Sequence, residues 1–146
     1  MVSLEKVDAY NFVKIIDLDV APEQKNFVRP NAVSLAQAYV MPECRPLAIY
    51  DGRTPVGFAM YALDKEDDEY WIYRLMIDAQ YQRRGFGREA MRLLIERIKA
   101  ETPKRSLLYI SFEPTNEAAQ HLYSSLGFVS DYRHVDGEIV YRLELK

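Results

Sequence analysis

Gln82-Arg83-Arg84-Gly85-Phe86-Gly87-Arg88 is the stretch on which the fold turns. It follows an aromatic and aliphatic run, residues 70–77, that reads as a strand. It precedes Phe86, Ala90, Leu93, Leu94 and Ile98, apolar residues at helical spacing. A turn from strand into helix leaves the first N–H groups of the helix unpaired, at the positive end of its dipole. Gly85 and Gly87 let an anion approach the backbone closely, and Arg83, Arg84 and Arg88 add positive charge beside it. The stretch predicts a pyrophosphate cradle, with a helix start flanked by solvated arginines as the alternative. The Gly-Lys-Ser/Thr ending of a Walker loop is missing, and so is the third glycine of the dinucleotide fingerprint.

Working outward, the helix is expected over residues 85–101, with Pro103 stopping it. Upstream, residues 46–50 and 54–63 form a hairpin around Asp51-Gly52, and residues 64–69 form a charged loop. Before these, residues 2–7 read as a strand, and Asp8 reads as the cap of a helix reaching Leu18. Residues 24–31 read as irregular, and Ser34 as the opening of a helix over 35–41. Downstream come a strand over 106–112 and a helix over 115–126 with Gly127 as its C-terminal cap. A second hairpin, 128–135 and 138–145, turns at Asp136-Gly137. No repeat or internal linker interrupts the 146 residues, so the reading is one α/β domain with a mixed sheet over 1–146.

Composition narrows the function classes. Apolar residues make up 49% and charged ones 28%, the balance of a soluble globular chain. With 19 basic and 22 acidic side chains, there is no basic excess of the kind that phosphate-neutralising nucleic-acid binders carry. No stretch reaches the length of a membrane span, no signal peptide is read at the start, and a cytoplasmic setting is expected. Cys44 is the single cysteine, which precludes an intrachain disulfide and is expected to be a buried spectator. His121 and His134 stand apart without partners at ligand spacing, so no metal is expected.

These segments resemble the GCN5-related N-acetyltransferase (GNAT) superfamily. Gln82, Gly85 and Gly87 match its Gln/Arg-x-x-Gly-x-Gly/Ala segment, which binds the pyrophosphate of coenzyme A. Leu75-Met76-Ile77 is similar to the strand end whose backbone pairs with the pantetheine arm. Residues 116–128, from Asn116 through Leu122-Tyr123 to Leu126-Gly127-Phe128, resemble the family's Asn-x-x-Ala…Leu-Tyr…Leu-Gly-Phe segment. The resemblance implies a mixed, mostly antiparallel central sheet flanked by about four helices, and acetyl-CoA as co-substrate. It implies coenzyme contacts from Leu75, Met76, Ile77, Gln82, Arg83, Arg84, Gly85, Phe86, Gly87, Arg88, Asn116 and Tyr123. It assigns the proton for the departing thiolate to Tyr123, and the oxyanion contact to backbone N–H groups near Met76 and Ile77.

The residues themselves leave alternatives beside these roles. Asn116 and Tyr123 are seven apart, on nearly one helix face and about 10 Å apart along the axis. That suits two contacts with an extended thiol arm, and equally an N-terminal cap and a core tyrosine. Acyl transfer to an amine needs a neutral amine, although alkyl amines have pKa values of about 10. Glu113, at a strand end, is the leading candidate base, with Tyr73 and Glu66 beside it.

For the acceptor, the chain looks most like the bacterial spermine/spermidine acetyltransferase branch. The residues behind that likeness are 70–78 and 112–116. A polycationic amine would be favoured by Glu66, Asp68 and Glu113, within or beyond the acidic cluster of residues 64–69, and its alkyl stretches by Phe27, Trp71 and Tyr73. Arg74 is discordant unless strand alternation turns it to the other face. The N-terminal helical region is expected to wall the acceptor site, and a homodimer is expected by analogy. An amino acid, a protein N-terminus or a drug amine is the alternative acceptor, and a non-catalytic acyl-CoA sensor is the alternative of another class.

Overall fold

The computed structural model describes residues 1–101 and 106–145. In chain order the elements are β1 (Val2–Lys6), α1 (Phe12–Asp17), α2 (Asn31–Val40), β2 (Cys44–Asp51), β3 (Thr54–Leu63) and β4 (Tyr70–Ile77). They continue with α3 (Phe86–Glu101), β5 (Leu107–Phe112), α4 (Glu117–Ser125), β6 (Val129–Val135) and β7 (Glu138–Glu144). Short 3-10 turns cover Pro22–Gln24 and Ala79–Tyr81. The seven strands form one sheet in the order β1-β2-β3-β4-β5-β7-β6. Every neighbouring pair is antiparallel except β4 with β5. This is the mixed, mostly antiparallel sheet with four helices that the sequence led us to expect.

Strand alternation gives the sheet two apolar faces. One buries Leu47, Ile49, Ala59, Ile72, Leu108 and Ile110 with Ala90, Met91, Leu94, Ile95 and Ile98 of α3 and Tyr123 of α4. The other buries Ala48, Phe58, Met60, Ala62 and Met76 with Ile15 of α1 and flanking side chains of α2. The buried stripe of α3 differs from the expected one. Met91 and Ile95 are buried, whereas Leu93 is only partly so, because the helix is rolled about one residue from the predicted face. Pro103 lies outside the described residues.

The N-terminal helices also start elsewhere than expected. Asp8 does not cap a helix: its Oδ1 accepts from the N–H groups of Tyr10 and Asn11, while Asn11 Oδ1 accepts from Asp8 N–H at 2.8 Å. That reciprocal turn delays α1 to Phe12. Helix α2 opens at Asn31, directly after Pro30, whose fixed φ suits a helix entry. Ser34 therefore lies inside the helix, fully buried, and Asn31 turns inward to donate to the Ile15 carbonyl at 2.8 Å.

One irregularity decides how β4 presents its side chains. Met60 pairs with Arg74 and Tyr61 with Ile72, so Tyr73 is an extra residue in β4. The bulge breaks alternation. Tyr73 packs toward the α1–α2 side, and Arg74 turns there too, donating from Nε to Ser34 Oγ at 3.1 Å and from a terminal nitrogen to Gln37 Oε1 at 3.0 Å. Arg74 thus does not take the face opposite Tyr73 that alternation would permit, and its charge stays on the Tyr73 side.

Candidate active site

The parallel pair β4–β5 is short. Tyr70 pairs with Leu108, Trp71 with Tyr109 and Ile72 with Ile110, and there the ladder ends. Both strands continue, β4 to Ile77 and β5 to Phe112, without pairing each other. Beyond Ile72 the β4 edge that faces β5 has no strand partner, so its backbone groups are open to an extended ligand. Leu75, Met76 and Ile77 lie on this open stretch, where an amide-bearing arm would find ladder partners.

The chain leaving β4 is firmly held. Asp78 N–H donates to the Val56 carbonyl and Ala79 N–H to the Asp19 carbonyl, both at 2.8 Å. Asp78 Oδ1 accepts from Asp19 N–H at 2.8 Å, and its other oxygen accepts from Gln80 N–H at 3.3 Å. The Gln82 side chain donates to the Ile77 carbonyl at 2.8 Å and exchanges hydrogen bonds with the Gln24 amide. Its side chain thus braces the loop, leaving its backbone for any ligand. The same bond ties the α1–α2 connection, which carries half-buried Phe27, to the loop beyond β4.

Arg83 then adopts φ +65° and Gly85 φ +84°, both in the left-handed region. A side chain at Gly85 would meet open space, so backbone conformation and not crowding asks for glycine there. Helix α3 starts at Phe86, which leaves the N–H groups of Phe86, Gly87 and Arg88 free of intrahelical partners. Exposed Arg83 and Arg84 flank them, Arg84 lying 5.7 Å above the Tyr81 ring. Arg88 donates to Ser125 Oγ and so links α3 to α4. Free N–H groups, a positive helix end and two exposed arginines fit a pyrophosphate.

Helix α4 supplies the other wall. Asn116 Oδ1 accepts from Ala119 N–H at 3.2 Å, so this side chain does cap the helix and keeps its NH2 for another partner. Tyr123 is 7% exposed, its ring 5.5 Å from that of Phe112 and 5.8 Å from that of Phe128. Burial, and then the negative charge of Glu138, push its hydroxyl above the ordinary tyrosine range. A tyrosine so placed holds its proton.

The expected acceptor residues are not gathered in one place. Strands β4 and β5 are parallel, so the acidic loop preceding Tyr70 and Glu113 following Phe112 lie at opposite ends of the pair. Five residues of strand separate the Leu108 level from Glu113, about 17 Å. Glu66 and Asp68 therefore lie at the far end of the strand pair from Glu113. Within the loop, Asp64 accepts from the Tyr73 hydroxyl at 2.6 Å and from Glu66 N–H at 2.8 Å. Asp67 accepts from the Trp71 indole at 2.7 Å. Asp64 and Asp68 line a cleft of about 260 Å³ with Glu43, Tyr61 and Glu101, whose charge Arg45 and Lys65 offset.

Two further expectations change. Tyr73, offered as a base, is pushed far up by burial and by its bond to Asp64, and stays protonated. Trp71, offered to line an alkyl chain, stacks on Tyr109 at 5.1 Å, and the Arg133 guanidinium covers both rings, 4.9 Å from Tyr109 and 5.7 Å from Trp71. Cys44 is buried under α2, with burial and Glu43 raising its thiol. Ser111 and Glu138, hydrogen-bonded at 2.8 Å next to the fork, were missed by sequence reasoning. No motif marks them, and only the β5–β7 register brings them together.

Comparison with known proteins agrees with this geometry. The model of the "Acetyltransferase (GNAT) family" matches residues 12–128. The spermine/spermidine N(1)-acetyltransferase of Bacillus subtilis (strain 168) is 32% identical over 133 residues, 87% of each chain. The [ribosomal protein bS18]-alanine N-acetyltransferase of Escherichia coli (strain K12) is 38% identical over 63 residues, 42% of this chain and 40% of that one. Among solved structures, the ribosomal-protein-S18-alanine N-acetyltransferase from Escherichia coli superposes with a TM-score of 0.73 at 18% identity, covering all of this chain and 95% of that one. A domain from Methanocaldococcus jannaschii DSM 2661 does so with a TM-score of 0.77 at 15% identity, over 99% and 98%.

Proposed function

The chain belongs to the GNAT acetyltransferase family, and from that premise we propose that it acetylates a primary amine of a polyamine such as spermidine or spermine by direct attack on acetyl-CoA. The observation that carries the reading is the fork beyond Ile72 and Ile110, with the pyrophosphate cradle at one end and Tyr123 against its α4 wall. The pantetheine arm pairs with the open edge of Leu75, Met76 and Ile77. The N–H groups of Phe86, Gly87 and Arg88 hold the pyrophosphate, with Arg83 and Arg84 neutralising it. Tyr123 delivers its proton to the departing sulfur. No enzyme nucleophile takes part, so Cys44 stays a spectator.

Likeness to the Bacillus subtilis enzyme along 87% of the chain supports the polyamine acceptor. Glu113, just beyond the fork, offers a carboxylate to a cationic chain. A protein N-terminal alanine is the second reading, favoured by the 38% identity over 63 residues. Thiol release from acetyl-CoA, measured with spermidine, spermine and a peptide beginning with alanine, separates them. Higher kcat/KM for the polyamines is the expected result. Acetylation of the peptide with no turnover of either polyamine would refute the acceptor assignment.

A further inference from the structure

The reaction also needs a group that takes the proton of the acceptor. An alkyl ammonium must lose a proton before it can attack, and its pKa of about 10 keeps it charged at neutral pH. Tyr73 holds its own proton, bonded to Asp64, and Glu66 lies in the loop at the far end of β4. Glu113 sits past the end of β5, where its carbonyl accepts from Asn116 N–H to close the turn into α4.

Ser111 is the first residue of β5 after the last β4–β5 pair, so it stands at the apex of the fork. Its neighbours Ile110 and Phe112 are buried in the core that holds Tyr123, which turns Ser111 to the opposite face. Phe112 pairs with Ile139, and Glu138 precedes Ile139 at the start of β7, reaching back so that Oε1 accepts from Ser111 Oγ at 2.8 Å. The charge of Glu138 is felt by Tyr123 on α4 and by Arg74 on β4, the two walls of the fork.

The geometry points to Glu138, oriented by Ser111, as the base that takes the proton of the acceptor ammonium. This inference rests on acetyl transfer to an amine and goes beyond it in naming the base. The ammonium gives one proton to Glu138 Oε2, and the freed nitrogen forms its bond to the acetyl carbon as the carbon–sulfur bond breaks. The sulfur takes the Tyr123 proton, and the second proton of the nitrogen restores Tyr123. Glu138 then releases its proton to solvent, so amide, thiol and one proton leave. Ser111 is a positioning residue. Among the described residues, Arg74 from β4 and Tyr123 from α4 are titratable groups that feel the charge of this carboxylate.

The test compares two acceptors on Glu138→Gln: spermidine, protonated at pH 7.5, and hydroxylamine, already neutral there. The variant is expected to lose about 100-fold or more in kcat with spermidine and no more than about threefold with hydroxylamine. Its residual spermidine rate should climb with pH toward the ionisation of the amine itself, whereas the wild type levels off earlier. Glu138→Asp, which keeps the carboxylate, should show the same selectivity with a smaller loss, and Ser111→Ala a smaller one still. Equal losses with both acceptors, no loss with either, or the selective loss appearing on Glu113→Gln instead would overturn the assignment. If spermidine and spermine are not turned over but another alkyl amine is, the polyamine reading falls and the same pair of rates is taken with that amine.

Discussion

Tyr123 carries two readings that need not exclude each other. Its ring packs against Phe112 and Phe128 as a core residue does, while burial and the nearby Glu138 charge raise its hydroxyl. A general acid must be protonated to act, and a raised pKa moves its deprotonation to higher pH. The wild-type kcat/KM profile should show no alkaline fall attributable to this group up to about pH 10. Tyr123→Phe should lower kcat by about 100-fold or more, with the KM for acetyl-CoA nearly unchanged, in steady-state thiol-release assays. Tyr123 stands out in the sequence only through the segment Asn116–Phe128, to which the family resemblance attaches the acid role. Glu138 does not stand out, since a glutamate after an Asp-Gly turn looks like any solvated strand start.

At the scale of elements, β3 and β4 set the shape of the site. At Gly57 an added Cβ would fall 2.3 Å from the Met76 carbonyl oxygen, a backbone atom that moves only if the strands part. Gly57→Ala should cost about 1–3 kcal/mol, lower Tm by about 3–10 °C and raise the KM for acetyl-CoA, as read by thermal melts and kinetics. The bulge at Tyr73 could not be foreseen, because alternation gives no sign of an extra residue until the partner strand is known. Another bulge, in β6, lies between Ser130 and His134, and there Asp131 accepts from Arg133 and from Arg142, the latter at 2.6 Å. Burial works against the Asp131 charge, but the bonds from Arg142 and Arg133 prevail and hold the carboxyl below the usual range. A depressed folded pKa contributes stability above the unfolded value of about 3.9 that is lost as pH falls through the folded one. Asp131→Asn should therefore lower Tm by roughly 2–5 °C at pH 7, and the gap to wild type should begin to narrow in melts below about pH 4 and close only once pH falls past the folded value.

For the whole molecule, periodicity and turn chemistry were enough to read the strand-and-helix order from β2 onward. The Asp51-Gly52 and Asp136-Gly137 turns and the run Tyr70–Ile77 each fell where expected. The N-terminal boundaries shifted because Asp8 and Asn11 bond each other and Pro30 starts α2, tertiary and local choices that a capping signal alone does not rank. The acidic residues expected around one acceptor are set apart for a topological reason. Acidic residues close in imagined function lie at opposite ends of a parallel strand pair, and sequence order does not show which ends meet. The fork itself is a property of the assembled sheet, since two strands that pair over three positions and then separate leave no local trace. Amide hydrogen exchange with and without coenzyme A tests the role of that fork most directly. Exchange over residues 73–77 and 84–88 should slow when the coenzyme binds. Binding that leaves both stretches unchanged, with protection confined to the cleft of Glu43, Asp64 and Glu101, would contradict it.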